Sequence, residues 1–105
     1  MMRVSEHELN IITDILSKYA PEFDVLAFGS RYNQTSKRYS DLDLAFRGND
    51  KLDMKKRSQL ICAFSESDLP YRVDVVDYNA VSPEFQAVIN MGNEKIFSGK
   101  KGKLQ

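Results

Sequence analysis

The sequence predicts a single α/β (α+β) domain, a small mixed β-sheet packed against helices, and three observations carry that reading. Apolar residues recur at helical intervals in three segments. Short runs with strand character, DVLAF, DLDLAF and YRVDVVDY, lie between them. The order is helix, strand, loop, strand, helix, strand, helix and a last short strand, a pattern that leaves strand order and direction open.

The first helix is expected over residues 5–20. Ser5 and Glu8 have capping-box spacing. Leu9, Ile12, Ile15, Leu16 and Tyr19 form its apolar stripe, and Pro21 ends it. DVLAF, residues 24–28, reads as a buried strand that stops at Gly29. Residues 30–40 are polar and basic, without period. DLDLAF then alternates, with Leu42, Leu44 and Phe46 on one face and Asp41, Asp43 and Ala45 on the other. Gly48, Asn49 and Asp50 form a turn. A second helix is expected over 51–67, with Leu52, Leu60, Ile61 and Phe64 inward and Cys62 a buried structural thiol. In YRVDVVDY, Val73 and Val75 share one face and Arg72, Asp74 and Val76 the other. The third helix has Ser82 as N-cap, Pro83 at its first position and Gly92 at its stop. EKIFSG offers a last strand. Residues 1–98 thus form one domain, and 99–105 a flexible basic tail.

Composition narrows the function classes. Hydrophobic residues make up 42% of the 105, enough for a modest core. The formal net charge is zero, which argues against a protein that coats nucleic acid or a membrane surface. No apolar run approaches the roughly 20 residues of a membrane span. MMRVSEHELN lacks a signal-peptide pattern. The lone Cys62 allows no internal disulfide and suits a reducing cytoplasm. His7 has no second His or Cys nearby and is not expected to bind metal.

Asp41 and Asp43 project from the same strand face, with Cα atoms roughly 6.5–7 Å apart. Unneutralised, they repel and one pKa rises. A divalent cation relieves that strain, and magnesium takes oxygen ligands. Asp74 is the third candidate, because a mid-strand charge between valines needs a partner or a metal. Asp77, of opposite parity, faces solvent or caps a turn. Asp50, Asp53 and Asp68 read as turn and helix-surface charges. Arg72, on the face of Asp74, can contact phosphate or pair with a carboxylate.

Gly29 and Ser30 follow directly on an apolar strand. Gly29 permits close backbone approach, and Ser30 offers a hydroxyl and an N–H suited to a phosphate oxygen. Arg31, Lys37 and Arg38 add positive charge, and Tyr32 and Tyr39 flank the same loop.

Gly29-Ser30, ten residues, then Asp41-Leu42-Asp43, with Asp74 in RVDVVD, resembles the signature of the DNA-polymerase-β-like nucleotidyltransferase superfamily. At this length the chain looks like the minimal nucleotidyltransferase (MNT) antitoxins. That resemblance implies a nucleotidyltransferase fold over residues 1–98. It implies that Gly29, Ser30 and Arg31 bind nucleotide, and that Asp41, Asp43 and Asp74 are catalytic and hold two magnesium ions. It further implies AMP transfer from ATP to a protein, a HEPN-domain toxin as partner, and no membrane or direct nucleic-acid binding. The chain departs from the family at Tyr32, Asn33 and Gln34, where a small residue and a second glycine are usual. Two alternatives remain: an antitoxin that acts by binding alone, and a small-molecule nucleotidyltransferase. The clustered acids favour an enzyme over a pure binder. Small-molecule enzymes of this kind usually carry an extra helical domain, for which 105 residues leave no room.

Overall fold

The computed structural model describes residues 4–29 and 41–100. Seven elements follow one another: α1 (Glu6–Tyr19), β1 (Asp24–Phe28), β2 (Leu42–Arg47), α2 (Met54–Ser65), β3 (Val73–Asp77), α3 (Pro83–Met91) and β4 (Glu94–Phe97).

Local chemistry sets the helix ends. The Ser5 hydroxyl accepts from the Glu8 N–H, and the Glu8 carboxylate accepts from the Ser5 N–H, which closes the expected capping box on α1. Asp53 caps α2 by accepting from the Lys56 N–H at 2.7 Å, so α2 starts later than the sequence suggests and Leu52 lies outside it. Ser82 caps α3, with Pro83 in its first turn.

The four strands lie in the order β3-β2-β1-β4. β1 is antiparallel to both β2 and β4, whereas β2 and β3 are parallel. A parallel pair needs a crossover, and α2 supplies it. β1 is central and buried along its whole length; that is why it reads as a continuous apolar run rather than an alternating one.

Helices cover both faces. On one, Ile12 and Leu16 of α1 and Leu60 and Phe64 of α2 pack on Val25, Ala27, Leu42, Leu44, Phe46, Val73 and Val75. On the other, Ile89 of α3 packs with Leu26, Phe28 and Ala45. Burial on α2 follows the Leu60–Phe64 spacing. Cys62 lies about 200° round the helix from Leu60, so it is exposed, and the expectation of a buried thiol is corrected. Ile61 is likewise 46% exposed rather than part of the core.

Two carboxylates are buried for structural reasons. Asp77 accepts from the Leu52 N–H at 2.8 Å and from the Asn79 N–H at 3.1 Å, which ties the strand end to the loop before α2. Of its two expected fates, it takes the cap and not the solvent. Asp24 accepts from the Gly99 N–H at 2.8 Å and lies 3.9 Å from Arg47 and 4.0 Å from Lys95. The Lys100 N–H donates to the Pro21 carbonyl at 2.7 Å.

Candidate active site

The sheet register assembles the site. Asp43 is the Cα partner of Phe28 on β1 and of Asp74 on β3. The next row of the same face holds Leu26, Ala45 and Val76, where Ile89 closes the apolar half. In the other direction lie Asp41 and Arg72, joined by the Leu42 N–H donating to the Arg72 carbonyl at 2.9 Å. One sheet face therefore grades from apolar under α3 to charged at its end, and the acids stand where α3 no longer covers it.

Gly29 lies against this row. Its φ is +81°, in the left-handed region, and a Cβ built on it would collide with Asp43 Oδ2. Both facts demand glycine: the backbone conformation disfavours any side chain, and the space is already filled by the carboxylate. The strand-ending glycine thus brings bare backbone onto the central acid.

Electrostatics follows from that crowding. The Asp43 carboxyl is pushed up from 3.8 to about 6. Burial is the main cause, followed by the charge of Asp74 and a hydrogen bond with it, and then the charge of Asp41. Arg72 reaches over the acids. Its Nη2 lies 2.9 Å from Asp41 Oδ2 and its Nε 4.0 Å from Asp74 Oδ1. The bond to Asp41 raises the guanidinium pKa above its ordinary value. Of the two roles the sequence left open for Arg72, carboxylate pairing is the one seen.

A cleft of about 820 Å³ opens beside these groups, lined by Phe28, Asp43, Arg57, Ile61, Phe85 and the whole run 71–76. Alternate residues of a strand point to opposite faces, so a cleft touching six consecutive residues wraps round the edge of β3. β3 is terminal in the sheet, and among the described residues no strand pairs with its outer side. Phe85 stands edge-on to Phe28 with centroids 5.9 Å apart, and the two rings line the cleft together with Asp43 and Asp74.

The structure thus brings Asp41, Asp43, Asp74 and Gly29 to one end of one face. Ser30 and Arg31, with the rest of 30–40 including Lys37, Arg38 and the Tyr32–Gln34 departure, lie outside the described residues. Arg57, Ile61 and Phe85 were not singled out as site residues from sequence. Their role in the cleft depends on how α2 and α3 flank β3, which no local pattern encodes.

The donor set suits magnesium chemically. It is all oxygen, it comes from neighbouring strands, and Asp43 carries a strain that a cation would relieve. Among the described residues no three His, Cys, Asp or Glu side chains already converge on one point. Asp41 is instead turned to Arg72. By donor type the residues fit the ion.

Comparison with known proteins supplies the family. The sequence matches the family described as polymerase beta, nucleotidyltransferase, over residues 10–102. It is 45% identical over 86 residues to the probable protein adenylyltransferase MntA of Haemophilus influenzae, covering 82% of this chain and 75% of that protein. Its fold is similar to that of a toxin–antitoxin solved with AMP-PNP, with a TM-score of 0.74 and 27% identity, over 88% of this chain and 74% of that one. It also resembles a complex of a tri-AMPylated Shewanella oneidensis HEPN toxin with its MNT antitoxin, with a TM-score of 0.64 and 25% identity, over 86% of this chain and 69% of that one. A sheet that sets Asp43 beside Asp74 with Gly29 pressed against Asp43, and a family match over nearly the whole chain, make one statement: the chain belongs to the polymerase β nucleotidyltransferase family.

Proposed function

We propose that this protein is a magnesium-dependent protein adenylyltransferase that moves AMP from ATP onto a hydroxyl of a partner protein, and that it serves as the antitoxin of a HEPN-domain toxin. The observation that carries the reading is the row Phe28–Asp43–Asp74 with Gly29 packed on Asp43. It sets like charges in register beside a cleft, an arrangement that costs stability and that a divalent cation would offset.

On this reading Asp41, Asp43 and Asp74 hold magnesium, which when bound neutralises charge on the phosphates. Gly29, Ser30 and Arg31 receive the triphosphate. Asp74, whose side chain is 49% exposed, faces the incoming acceptor. The acceptor oxygen bonds to the α-phosphorus, the bond from that phosphorus to the bridging oxygen breaks, pyrophosphate leaves, and Asp74 orients the hydroxyl and takes its proton. The protein's contribution is positioning and charge compensation. The relatives' toxin complexes support the partner assignment, and the open cleft at the β3 edge leaves room for an acceptor from another chain. No helix among the described residues is long and apolar enough to cross a membrane; the proposed setting is the cytoplasm.

The test is transfer of label from α-labelled ATP to the purified toxin. Asp43→Asn is expected to abolish it while circular dichroism stays unchanged. Undiminished labelling would remove Asp43 from the site. If Asp43→Asn loses labelling yet still neutralises the toxin fully, the binding-only alternative replaces transfer as the antitoxin mechanism.

A further inference from the structure

Arg72 has no part in the transfer described above, yet its placement is specific. Its side chain is 76% exposed, so burial does not force it inward. It nevertheless lies over the acids, 2.9 Å from Asp41 and 4.0 Å from Asp74. The register explains why. Arg72 precedes β3 as Asp41 precedes β2, and the Leu42 N–H bond to the Arg72 carbonyl fixes the two residues side by side. Asp74, two residues on, shares the face.

Asp41 is also one of the three acids that a cation at this site needs. The guanidinium offsets the negative charge that a dication would use, and a dication entering among the acids repels it. Resting on the metal reading above, we propose that Arg72 is the built-in counter-ion of the site: it pairs with Asp41 while no metal is bound and competes with a divalent cation for that charge. Arg72 is then a positioning residue that sets the metal affinity of the chain through Asp41. Arg57 lines the same cleft and carries the same charge, but forms no ion pair with Asp41, so it separates a specific contact from a general charge effect.

The experiment is titration of the full chain with Mn²⁺ alone at low ionic strength, with free Mn²⁺ read by electron paramagnetic resonance. Arg72→Gln is expected to bind Mn²⁺ about two- to five-fold more tightly than the unaltered chain, the scale of one exposed ion pair. Arg57→Gln is expected to change affinity less than Arg72→Gln, and Asp43→Asn to lose binding. Equal or weaker binding by Arg72→Gln overturns the counter-ion role, as does an equal gain in Arg57→Gln. Binding that survives Asp43→Asn, or is absent from every form, overturns the metal reading itself, and so the two failures are told apart.

Discussion

Asp43 and Asp74 are direct Cα partners across the parallel β2–β3 ladder, with Gly29 packed against the first of them. Two like charges in register on adjacent strands destabilise a sheet, and burial, with the charge of Asp74 next, raises the proton affinity of Asp43. The stability of the metal-free protein should therefore depend on pH in a particular direction.

Asp43 holds its proton more tightly when folded, at about 6, than at its ordinary 3.8. Its contribution to stability is complete below the lower value and is lost as pH rises through the upper one. In the presence of a chelator, Asp43→Asn, which stays neutral, should melt at a higher temperature than the unaltered chain at about pH 7.5. The difference should vanish at about pH 4. Melting curves recorded by circular dichroism across that range decide it. A constant difference would mean that the substitution acts through packing and not through charge.

Gly29→Ala combines two penalties. The left-handed backbone costs about 1–2 kcal/mol for a residue with a side chain, and the new Cβ meets Asp43 Oδ2. Urea denaturation should show a loss of at least that size. Mn²⁺ affinity should fall with it, because Asp43 must move.

Asp77→Ala should do the opposite kind of damage. Asp77 is buried and accepts from the Leu52 and Asn79 N–H groups. Its loss should cost about 1.5–3 kcal/mol, the scale of hydrogen bonds to a charged group. Labelling of the toxin, measured well below the melting temperature, should be unchanged. Asp74→Asn should show the reverse pattern, with labelling lost and, because a like charge opposite Asp43 is removed, no loss of stability.

Ile89→Ala tests how α3 is held over the apolar half of the site face. Ile89 is the fully buried residue of α3, and its truncation should cost about 2–5 kcal/mol. Hydrogen exchange should quicken first in α3, before α1 and α2, which pack on the other face.

Much of the architecture was legible because it rests on local rules. Ser5, Glu8, Ser82 and Pro83 announce helix starts through their own backbone partners. The alternation in DLDLAF assigns Asp41 and Asp43 to one face without knowledge of the neighbours. Misplaced residues were those whose environment is set from outside their element. Cys62 and Ile61 looked inward because their segment is apolar, but one stripe of α2, Leu60 and Phe64, is all that the sheet covers. Leu52 looked helical because it precedes a helix; the Asp53 cap leaves it outside, where the Asp77 carboxylate accepts from its N–H.

The candidate residues stand out along the chain alone: an apolar strand ending in Gly29, two acids of one parity, and a third acid isolated between valines. Periodicity and turn chemistry act over a few residues, so they are readable along the chain. How these residues meet depends on the assembled sheet. The parallel pairing of β2 and β3 puts Asp74 opposite Asp43, the positive φ of Gly29 lays backbone on the Asp43 carboxylate, and the same register delivers Arg72 to Asp41. Strand order and register come from burying both faces of one sheet at once, a condition on the whole chain that no single segment records.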